Sequence, residues 1–317
     1  MGRLWRFIAA FVLVAIVGGT GDYVSEQFAV TRAYAAEASV HRTYKGIQVP
    51  DMSIRARSLA AAHPGVVRIN AGRAVSPTRH FRDVASYAAG LKSFGIRPLP
   101  MLKQNLSLTD AQWQSAVSAF AQAIPATFLE IGNEPGPEAW DRYFHLARLA
   151  APIIHAHGKR MVLAAPMNVN TVEYLRAANA AGVFTRVDGV AIHPYAPTPL
   201  RVQERVGDAR RIVPWRLPLW ITEVGWGTGP NQDGGYGGLD VTASDQARYV
   251  ANLYNRLFER GKMWNLASVG YFVWNDYGPG GRPGNRVSDH SGLLRIDGTR
   301  KPAYAEYAAR PRAYRQG

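Results

Sequence analysis

The chain has 317 residues and a net charge of +14, and it contains no cysteine. The missing cysteines exclude a disulfide framework, a zinc–thiolate centre and a thiol nucleophile. With 47% hydrophobic residues the chain can bury a large core, and its length suits one barrel of about 250 residues as well as two smaller domains.

The N-terminal residues show a pattern typical of a secretory signal. Arg3 and Arg6 precede eleven apolar residues, Phe7 to Val17, and two glycines follow. A membrane-spanning helix needs roughly 20 apolar residues, so this run is short for a stable anchor. We expect a protein exported to the periplasm or the extracellular space, and an uncleaved anchor in the inner membrane is the alternative. The predicted division is a signal or anchor segment with a linker at residues 1 to 35, and one domain at residues 36 to 317.

Most of the positive charge lies outside this segment. Residues 1 to 35 contain three arginines, Asp22 and Glu26, so their removal leaves a net charge of +13. Such a charge favours an anionic partner, such as an acidic polysaccharide or lipid headgroups, although an arginine-rich solvated surface explains it equally well. The basic residues form no Lys/Arg run and no interleaved aromatic stripe, so a nucleic-acid partner is not expected.

From residue 40 onward, short apolar runs typical of strands alternate with amphipathic stretches typical of helices. Near-continuous apolar strands indicate a parallel sheet, and eight strand-helix units suit an α/β fold of the closed (β/α)8 TIM-barrel type. An open, doubly wound sheet is the alternative. The eight predicted strands are GIQV, GVVRIN, GIRPLPML, ATFLEIGNE, RMVLAAPM, VDGVAIHPY, LPLWITEVG and SVGYFVWNDYG.

Two helices have the clearest signals. Thr109 and Gln112 predict a capping box at the start of the first, and Gly261 predicts the end of the second. The apolar stripes that should face the core are Trp113, Val117, Phe120 and Ile124 in the first helix, and Val250, Leu253, Tyr254 and Leu257 in the second.

Polar residues stand at the ends of the predicted strands. In (β/α)8 barrels these ends meet and form the active site, so residues far apart in sequence gather there. Two carboxylates should therefore share one pocket with a cation, an amide, an imidazole and indole rings. The strand-end residues are Arg68, Asn70, Asn133, Glu134, His193, Tyr195, Glu223, Trp274 and Asn275.

Two carboxylates across a pocket are the minimum equipment for cleaving a glycosidic bond. One carboxyl must give a proton to the leaving oxygen, and the anomeric carbon needs a nucleophile or an activated water. Arg68 would keep one carboxylate ionised, and Asn133 can donate to a sugar hydroxyl. Trp226 and Trp274 offer flat apolar faces to pyranose rings.

Two of these motifs resemble the clan A glycoside hydrolases, which are retaining (β/α)8 enzymes. "EIGNEPG" resembles their Asn-Glu-Pro motif after strand 4, which implies that Glu134 is the acid/base and Asn133 its companion. "LWITEVGW" resembles the motif after strand 7, which implies that Glu223 is the nucleophile.

Further motifs extend this resemblance over residues 45 to 307. "VVRIN" is similar to the element whose arginine, here Arg68, orients the nucleophile. "AIHPYA" is similar to the His-x-Tyr element, which implies that Tyr195 bonds the nucleophile and that His193 lines the pocket. "YFVWNDYG", with Trp274, resembles the aromatic platform after strand 8. Families 39 and 5 are the most similar, with parts that also resemble families 53 and 128, so the substrate does not follow.

Several acidic or polar residues have a structural interpretation that competes with a functional one. Glu130 lies on the same side of its strand as Glu134, and we expect it to be a buried partner of an arginine. Asp188 opens the sixth strand at the end away from the pocket, where a capping role is expected. Asp276 and His290 edge the pocket or belong to a polar loop, and the glycine-rich segment after Glu223 is predicted to be a lid or subsite wall.

Two other classes of function fit parts of this pattern. In a metal-dependent barrel of the sugar-isomerase or endonuclease type, Glu134, Glu223 and His193 would bind divalent cations, but Arg68 would repel the metal. In a non-catalytic glycan-binding barrel the pocket would be blocked. We expect a monomeric hydrolase with no metal or other cofactor, acting on an oligo- or polysaccharide that is either neutral or anionic. Membrane contact is expected only through an uncleaved N-terminal segment.

Overall fold

The computed structural model describes residues 41–74, 78–166, 170–229, 238–276 and 289–316. Strands and helices alternate along this part of the chain. The strands are β1 (His41–Val49), β2 (Val66–Arg73), β3 (Arg97–Lys103), β4 (Phe128–Ile131), β5 (Arg160–Leu163), β6 (Gly189–Ile192), β7 (Leu219–Ile221), β8 (Leu266–Tyr271) and β9 (Ala313–Gln316). The helices are α1 (Ala56–Ala60), α2 (Thr78–Ser93), α3 (Asp110–Ala123), α4 (Trp140–Ala156), α5 (Thr171–Ala180), α6 (Pro199–Ile212), α7 (Ala243–Glu259) and α8 (Pro302–Ala309).

The first eight strands form a closed parallel barrel. Each strand from β2 to β7 pairs with the next, and β1 closes the barrel by pairing with both β8 and β2. In β1, Tyr44 is opposite Ser268 of β8, while Gly46 is opposite Val66 of β2. The predicted (β/α)8 barrel is therefore confirmed, and the open doubly wound sheet is wrong.

Strand β9 is an addition that the sequence did not predict. It extends the sheet beside β1, where the amide of Lys45 donates to the carbonyl of Arg312 at 3.0 Å. Strand β9 has the four-residue sequence AYRQ, which is too short to show the apolar alternation by which a strand is recognised. It begins three residues after α8 and so joins the C-terminal part of the chain to the start of the barrel.

The helix predictions are confirmed where their signals were strongest. The hydroxyl of Thr109 caps α3, and the side chain of Gln112 bonds back to the Thr109 amide. Helix α7 ends at Glu259, shortly before Gly261. Both apolar stripes are buried between barrel and helices: Trp113, Val117, Phe120 and Ile124, and Val250, Leu253, Tyr254 and Leu257.

The barrel interior has an apolar layer toward the end where the strands begin. Phe128 packs on Trp220 with ring centroids 4.9 Å apart, and Arg97 lies over the ring of Tyr44 at 4.2 Å. This layer fills the interior of the barrel on the side where the strands begin. The other apolar side chains of the layer are Val66, Leu99, Val162, Ala165 and Ala191.

The predicted signal or anchor segment lies outside the described residues and stays a prediction. Among the helices of the described part of the chain, none is both long and apolar enough to cross a membrane. Residues 42–317 form one compact unit that contains the whole barrel.

Candidate active site

A sharp turn after β4 places Asn133 and Glu134. Glu134 has a φ of +46°, and its amide donates to the carbonyl of Ala165 at 3.0 Å. Gly132 has a φ of +95°, and a Cβ there would lie 2.5 Å from the ring of Tyr143. Only glycine fits this position, so the motif's glycine lets the chain turn and its Glu134 point into the pocket.

Arg68, on β2, is the centre of a buried charge cluster. Its Nε donates to Glu130 Oε2 at 2.5 Å and its Nη2 to Glu130 Oε1 at 2.9 Å. The same guanidinium donates to Gln48 Oε1 at 2.6 Å, to Asn133 Oδ1 at 2.7 Å and to Glu223 Oε1. A buried cation with two carboxylate and two amide partners is fully satisfied, and it fixes the position of each partner.

Glu223 follows β7 and is held from two sides. Arg68 donates to its Oε1, and the Tyr195 hydroxyl donates to its Oε2 at 3.0 Å. Burial and then the charges of Glu223 and Glu134 raise the pKa of Tyr195 well above its ordinary value, so this hydroxyl stays a donor. Arg68 and Tyr195 thus take the places that the sequence predicted for them beside Glu223.

Glu134 has a different partner, His193 of the segment after β6. His193 Nδ1 lies 2.9 Å from Glu134 Oε1, and its Nε2 lies 3.0 Å from the hydroxyl of Thr222. The imidazole is completely buried, whereas a third of the Glu134 side chain is exposed. His193 therefore links the two acidic residues from below, with its Nε2 3.7 Å from Glu223 Oε1.

The pKa values of His193 and Glu134 shift in opposite directions, and each shift favours the charged form of its group. Burial by itself lowers the pKa of His193, but the charge of Glu223, together with the hydrogen bond and charge of Glu134, outweighs burial and raises it above 6.5. Burial by itself raises the pKa of Glu134, but the hydrogen bond and charge of His193, followed by Arg68 and Lys103, lower it below 4.5. Both shifts describe one ion pair, an imidazolium beside a carboxylate.

The two acidic residues that the sequence paired lie close together. A carboxylate oxygen of Glu134, a ring nitrogen of His193 and a carboxylate oxygen of Glu223 all lie within 4.8 Å of one another. This triangle can flank one glycosidic bond, and its donor atoms could also hold a metal ion. Arg68 donates directly to Glu223, so a cation placed there would meet a second positive charge.

The structure adds site residues that the sequence did not single out. Gln48, at the end of β1, accepts from Arg68, and Thr222 bonds His193 directly before Glu223. Gln104 bonds the backbone of Asn133 twice, at 2.7 and 3.0 Å. All three lie at or next to strand ends, which is the signal that could have identified them.

The two tryptophans do not take the places that the sequence predicted. Trp226 is completely buried and donates its indole N–H to the carbonyl of Ala196 at 2.9 Å. Trp274 is 3% exposed and packs edge-on against Tyr304. Neither ring presents a free face, so their expected stacking on sugar rings is wrong for this structure. Phe272 is the partly exposed aromatic residue after β8, with its ring centroid 6.3 Å from that of Tyr195.

Three of the remaining acidic residues are structural. Glu130 is completely buried against Arg68, as expected. Asp188 accepts from the amide of Met161 at 2.8 Å and lies 2.7 Å from the ring of His155, at the barrel end away from the pocket. Asp276 forms a buried ion pair with Lys301 at 2.7 Å.

His290 and the segment after Glu223 are only partly described. The carbonyl of His290 accepts from Lys301 Nζ at 2.8 Å and from the Thr228 amide at 3.0 Å. This backbone role supports the interpretation of His290 as part of a polar loop. The predicted glycine-rich lid includes residues 230–237, which lie outside the described residues, so the lid stays a prediction.

Solved structures share this barrel, although no protein-family model and no curated protein matches the chain. A GH5_18 enzyme variant from Streptomyces cattleya, in complex with Manβ1-4GlcNAc, has a TM-score of 0.66 and 14% identity, covering 84% of this chain and 79% of that one. An exo-β-1,4-mannosidase from Opitutaceae bacterium strain TAV5 has a TM-score of 0.60 and 12% identity, covering 84% and 58%.

A β-glucuronidase from Bacteroides uniformis matches with a TM-score of 0.61 and 14% identity over 84% of this chain. Here the chain spans only 34% of the length of the matched protein. The comparisons show that the chain has the (β/α)8 barrel fold of these glycosidases, which confirms the expected fold.

Proposed function

We propose that the protein is a retaining glycoside hydrolase, which cleaves an oligo- or polysaccharide by double displacement. The observation that carries this proposal is the pairing of Glu134 and Glu223. Oxygens of the two side chains lie within 4.8 Å of each other, and each side chain has its own hydrogen-bond partners. Arg68 and Tyr195 each donate a hydrogen bond to Glu223, whereas Glu134 contacts the imidazole of His193. One residue is thus equipped as a nucleophile and the other as an acid/base.

In the first step, Glu223 attacks the anomeric carbon. A carboxylate oxygen forms the new bond as the bond to the leaving oxygen breaks, and Glu134 gives its proton to that oxygen. Arg68 and Tyr195 hold Glu223 in place, so little reorganisation is needed before attack. Asn133, oriented by Arg68 at 2.7 Å, keeps its amide N–H groups for a neighbouring sugar hydroxyl.

In the second step, Glu134 acts as the base. It takes a proton from water while the water oxygen attacks the anomeric carbon and Glu223 leaves as a carboxylate. Both residues return to their starting protonation states. Two inversions at one carbon give net retention of configuration.

The separation of the carboxylates supports retention over inversion. Retaining enzymes hold the two carboxyl groups about 5 to 5.5 Å apart, and inverting enzymes about 6.5 to 9.5 Å, to admit a water. Oxygens of Glu134 and Glu223 within 4.8 Å of each other are closer than the inverting range, which favours retention. Proton NMR should show the retained anomer as the first product.

The proton that Glu134 donates is stored on the neighbouring imidazole in the free protein. His193 Nδ1 is 2.9 Å from Glu134 Oε1, so one hydrogen bond separates the proton from the acid. A bound sugar would remove water from Glu134, and desolvation favours the neutral carboxyl. The substrate therefore pulls the proton onto Glu134 when it is needed.

For the substrate we propose an exported glycan, such as an envelope polysaccharide or exopolysaccharide. The charge of +14 supports an anionic one. In that case the affinity for the glycan should fall steeply as the salt concentration rises from low to physiological. At physiological ionic strength the Debye length is only about 8 Å. Turnover confined to neutral glycans, or turnover of acidic glycans without salt dependence, would remove the anionic part of this proposal.

The experiment that tests the proposal separates the two carboxylates by role. Glu223→Gln should lose nearly all turnover on every substrate but still bind glycan. Glu134→Ala should lose several orders of magnitude on a natural glycoside and far less in the first step on an activated aryl glycoside, which needs no proton. Azide should then rescue Glu134→Ala and give a product of retained configuration.

The matched control is Glu138→Gln, which neutralises an exposed carboxylate just beyond the same turn. Its turnover should equal that of the wild type. If azide instead rescues Glu223→Ala, the two roles are exchanged. If neither site variant loses activity, the protein is not a hydrolase of this type.

The cluster of Glu134, His193 and Glu223 also favours a second candidate, a metal-dependent barrel enzyme. Its ligand atoms are engaged with each other and with Arg68, which weakens this candidate. Turnover that is abolished by a chelator and restored by a divalent cation would replace the hydrolase proposal. A folded protein that binds glycans without any turnover would be a glycan-binding barrel.

A further inference from the structure

The barrel carries a second unusual surface, at the end opposite the candidate active site. Three segments meet there: residues 210–216 from the last turn of α6 toward β7, residues 259–265 from the last residue of α7 toward β8, and residues 310–316 from the end of α8 through β9. We call them together the basal patch. Each segment precedes or flanks a strand start, and the strands β7, β8, β1 and β9 are neighbours in the sheet.

The basal patch is a connected surface. The Asn265 side chain donates to the carbonyl of Trp215 at 2.8 Å, which joins the first two segments. Arg210 also joins them, with bonds to the carbonyls of Leu217 at 3.0 Å and Trp264 at 3.2 Å. Tyr314 stacks on Phe258, with ring centroids 5.7 Å apart, and so brings the third segment to the end of α7.

Large apolar side chains face solvent in each segment. Trp215 is 57% exposed, Met263 is 53% exposed and Tyr314 is 38% exposed. Tyr314 has one face on the buried ring of Phe258, and all three side chains stay more than a third exposed. Exposed apolar residues in one neighbourhood with charged surroundings mark a site of interaction.

The three segments of the patch are rich in basic residues. Its 21 residues contain eight basic residues and one acidic residue, Glu259, which is a net +7. The other 296 residues contain 29 basic and 22 acidic residues, which is also +7. Asp208 and Glu306, just outside these segments, pair with Arg211 and Arg310 and reduce the net charge from +7 to +5. The patch therefore stays complementary to an anionic surface.

We propose that the basal patch binds the surface of an anionic phospholipid bilayer. Tryptophan and tyrosine prefer the interface between lipid and water, and arginine and lysine bind anionic headgroups. The patch has both types of side chain together. A nucleic acid or an acidic polysaccharide would use the charge and leave Met263 without a role.

The course of the chain supports the same occupant. The chain enters β1 at His41, at the barrel end that carries the patch, and the 40 residues before it include the apolar run Phe7 to Val17. One weak membrane signal gives marginal attachment and two give a stable one. The basal patch would supply the second signal, and the candidate active site would face away from the bilayer.

The absence of cysteine makes a clean test possible. Single cysteines are placed in the full-length protein by Met263→Cys in the patch and Ile296→Cys, a 60% exposed position beyond β8 on the opposite side, as control. Each is labelled with an environment-sensitive fluorophore. With vesicles containing phosphatidylglycerol, the label at 263 should shift to the blue and the label at 296 should not.

Charge variants test the headgroup contribution. Arg211→Gln, Arg216→Gln and Lys262→Gln together should weaken binding to anionic vesicles by about tenfold or more. The matched control removes the same charge at the opposite end, by Arg201→Gln, Arg295→Gln and Arg300→Gln, and should bind like the wild type. Glycan turnover of the patch variant should equal that of the wild type, which separates this proposal from the proposed function.

Several results would overturn the proposal. Equal shifts at 263 and 296, or equal shifts with neutral phosphatidylcholine vesicles, would show unspecific adsorption. A shift at 263 that depends on protein concentration without vesicles would assign the patch to a second copy of this chain. A shift caused by RNA or an acidic polysaccharide, but not by vesicles, would assign it to that polymer.

Discussion

Two buried cations of the barrel, Arg68 and Lys45, differ in the groups that accept their hydrogen bonds. Arg68 is surrounded by Glu130, Glu223, Gln48 and Asn133 near the ends of the strands. Lys45 is completely buried near the start of β1, and its Nζ donates to three backbone carbonyls, those of Ala62, Tyr307 and Arg310, at 2.8 to 2.9 Å.

The charge of the acceptors decides what each cation can do. Burial alone disfavours the charged guanidinium, but Glu130 and Glu223 outweigh it and raise the pKa of Arg68. Lys45 has only neutral acceptors and the face of the Tyr307 ring, so burial, followed by the charge of Arg310, lowers its pKa from 10.5 to about 7. The carboxylate partners therefore keep Arg68 charged. Lys45, which has only carbonyl acceptors, can lose its proton near neutral pH, and its hydrogen bonds connect α8 to β1.

The largest expected effect is that of Arg68→Met. It leaves Glu130 buried without a counter-charge, which should lower the free energy of unfolding by about 3–5 kcal/mol, and it frees Glu223, which should lower kcat/KM by about 10²–10³. Chemical denaturation and kinetics measure the two losses.

The double variant Arg68→Met with Glu130→Gln separates these losses. It removes the buried charge, so stability should recover while activity should not. Recovery of both would contradict the assignment of Arg68 as the residue that holds Glu223.

Lys45→Met should affect stability alone. Three carbonyls lose a buried donor, and we expect a loss of about 3 kcal/mol in the free energy of unfolding. Because Lys45 is far from the strand ends, kcat/KM should match that of the wild type. A loss of activity in folded Lys45→Met would break the contrast between the two cations.

The same variant tests the titration of Lys45. Its pKa is lowered in the folded protein, so between about pH 7 and pH 10.5 the unfolded chain holds more protons. The unfolding free energy contributed by Lys45 should therefore rise with pH in that window, by about 1.4 kcal/mol per unit at most. The difference between wild type and Lys45→Met, followed by denaturation at several pH values, should increase toward pH 10.5. A flat difference would show that the carbonyls keep Lys45 charged.

The smallest expected effect concerns His193, which is a further buried cation when it is protonated. In the wild type, the pair of His193 and Glu134 keeps one proton up to the raised pKa of the imidazole. In His193→Gln the imidazole that holds this proton is missing. The decrease of kcat/KM at alkaline pH should therefore begin about one pH unit lower. An activated aryl glycoside should show no such shift. An unchanged alkaline decrease on the natural substrate would mean that His193 only positions Glu134.

The ends of the strands could be predicted from the sequence because the two features that mark them, a polar residue after an apolar run and a turn glycine, are local in the chain. Apolar runs that stop at polar residues identify strand ends, and the glycine of "GNEP" permits the turn that exposes Glu134. The barrel then brings Glu134 and Glu223 together by its topology alone, whatever the side chains between them. The buried pairing of Glu130 with an arginine followed from its place on the strand.

The partners of each side chain were decided by the tertiary structure. Strand β7 ends at Ile221, so inward and outward alternation no longer governs Trp226, and the turn buries this ring in place of exposing it. Lys45 gives no sign of burial in the sequence, because its acceptors lie up to 265 residues away. The hydrophobic pattern is a local property of the sequence. The partners of buried charges and the exposure of aromatic rings depend on contacts between distant segments, and the closed barrel determines those contacts.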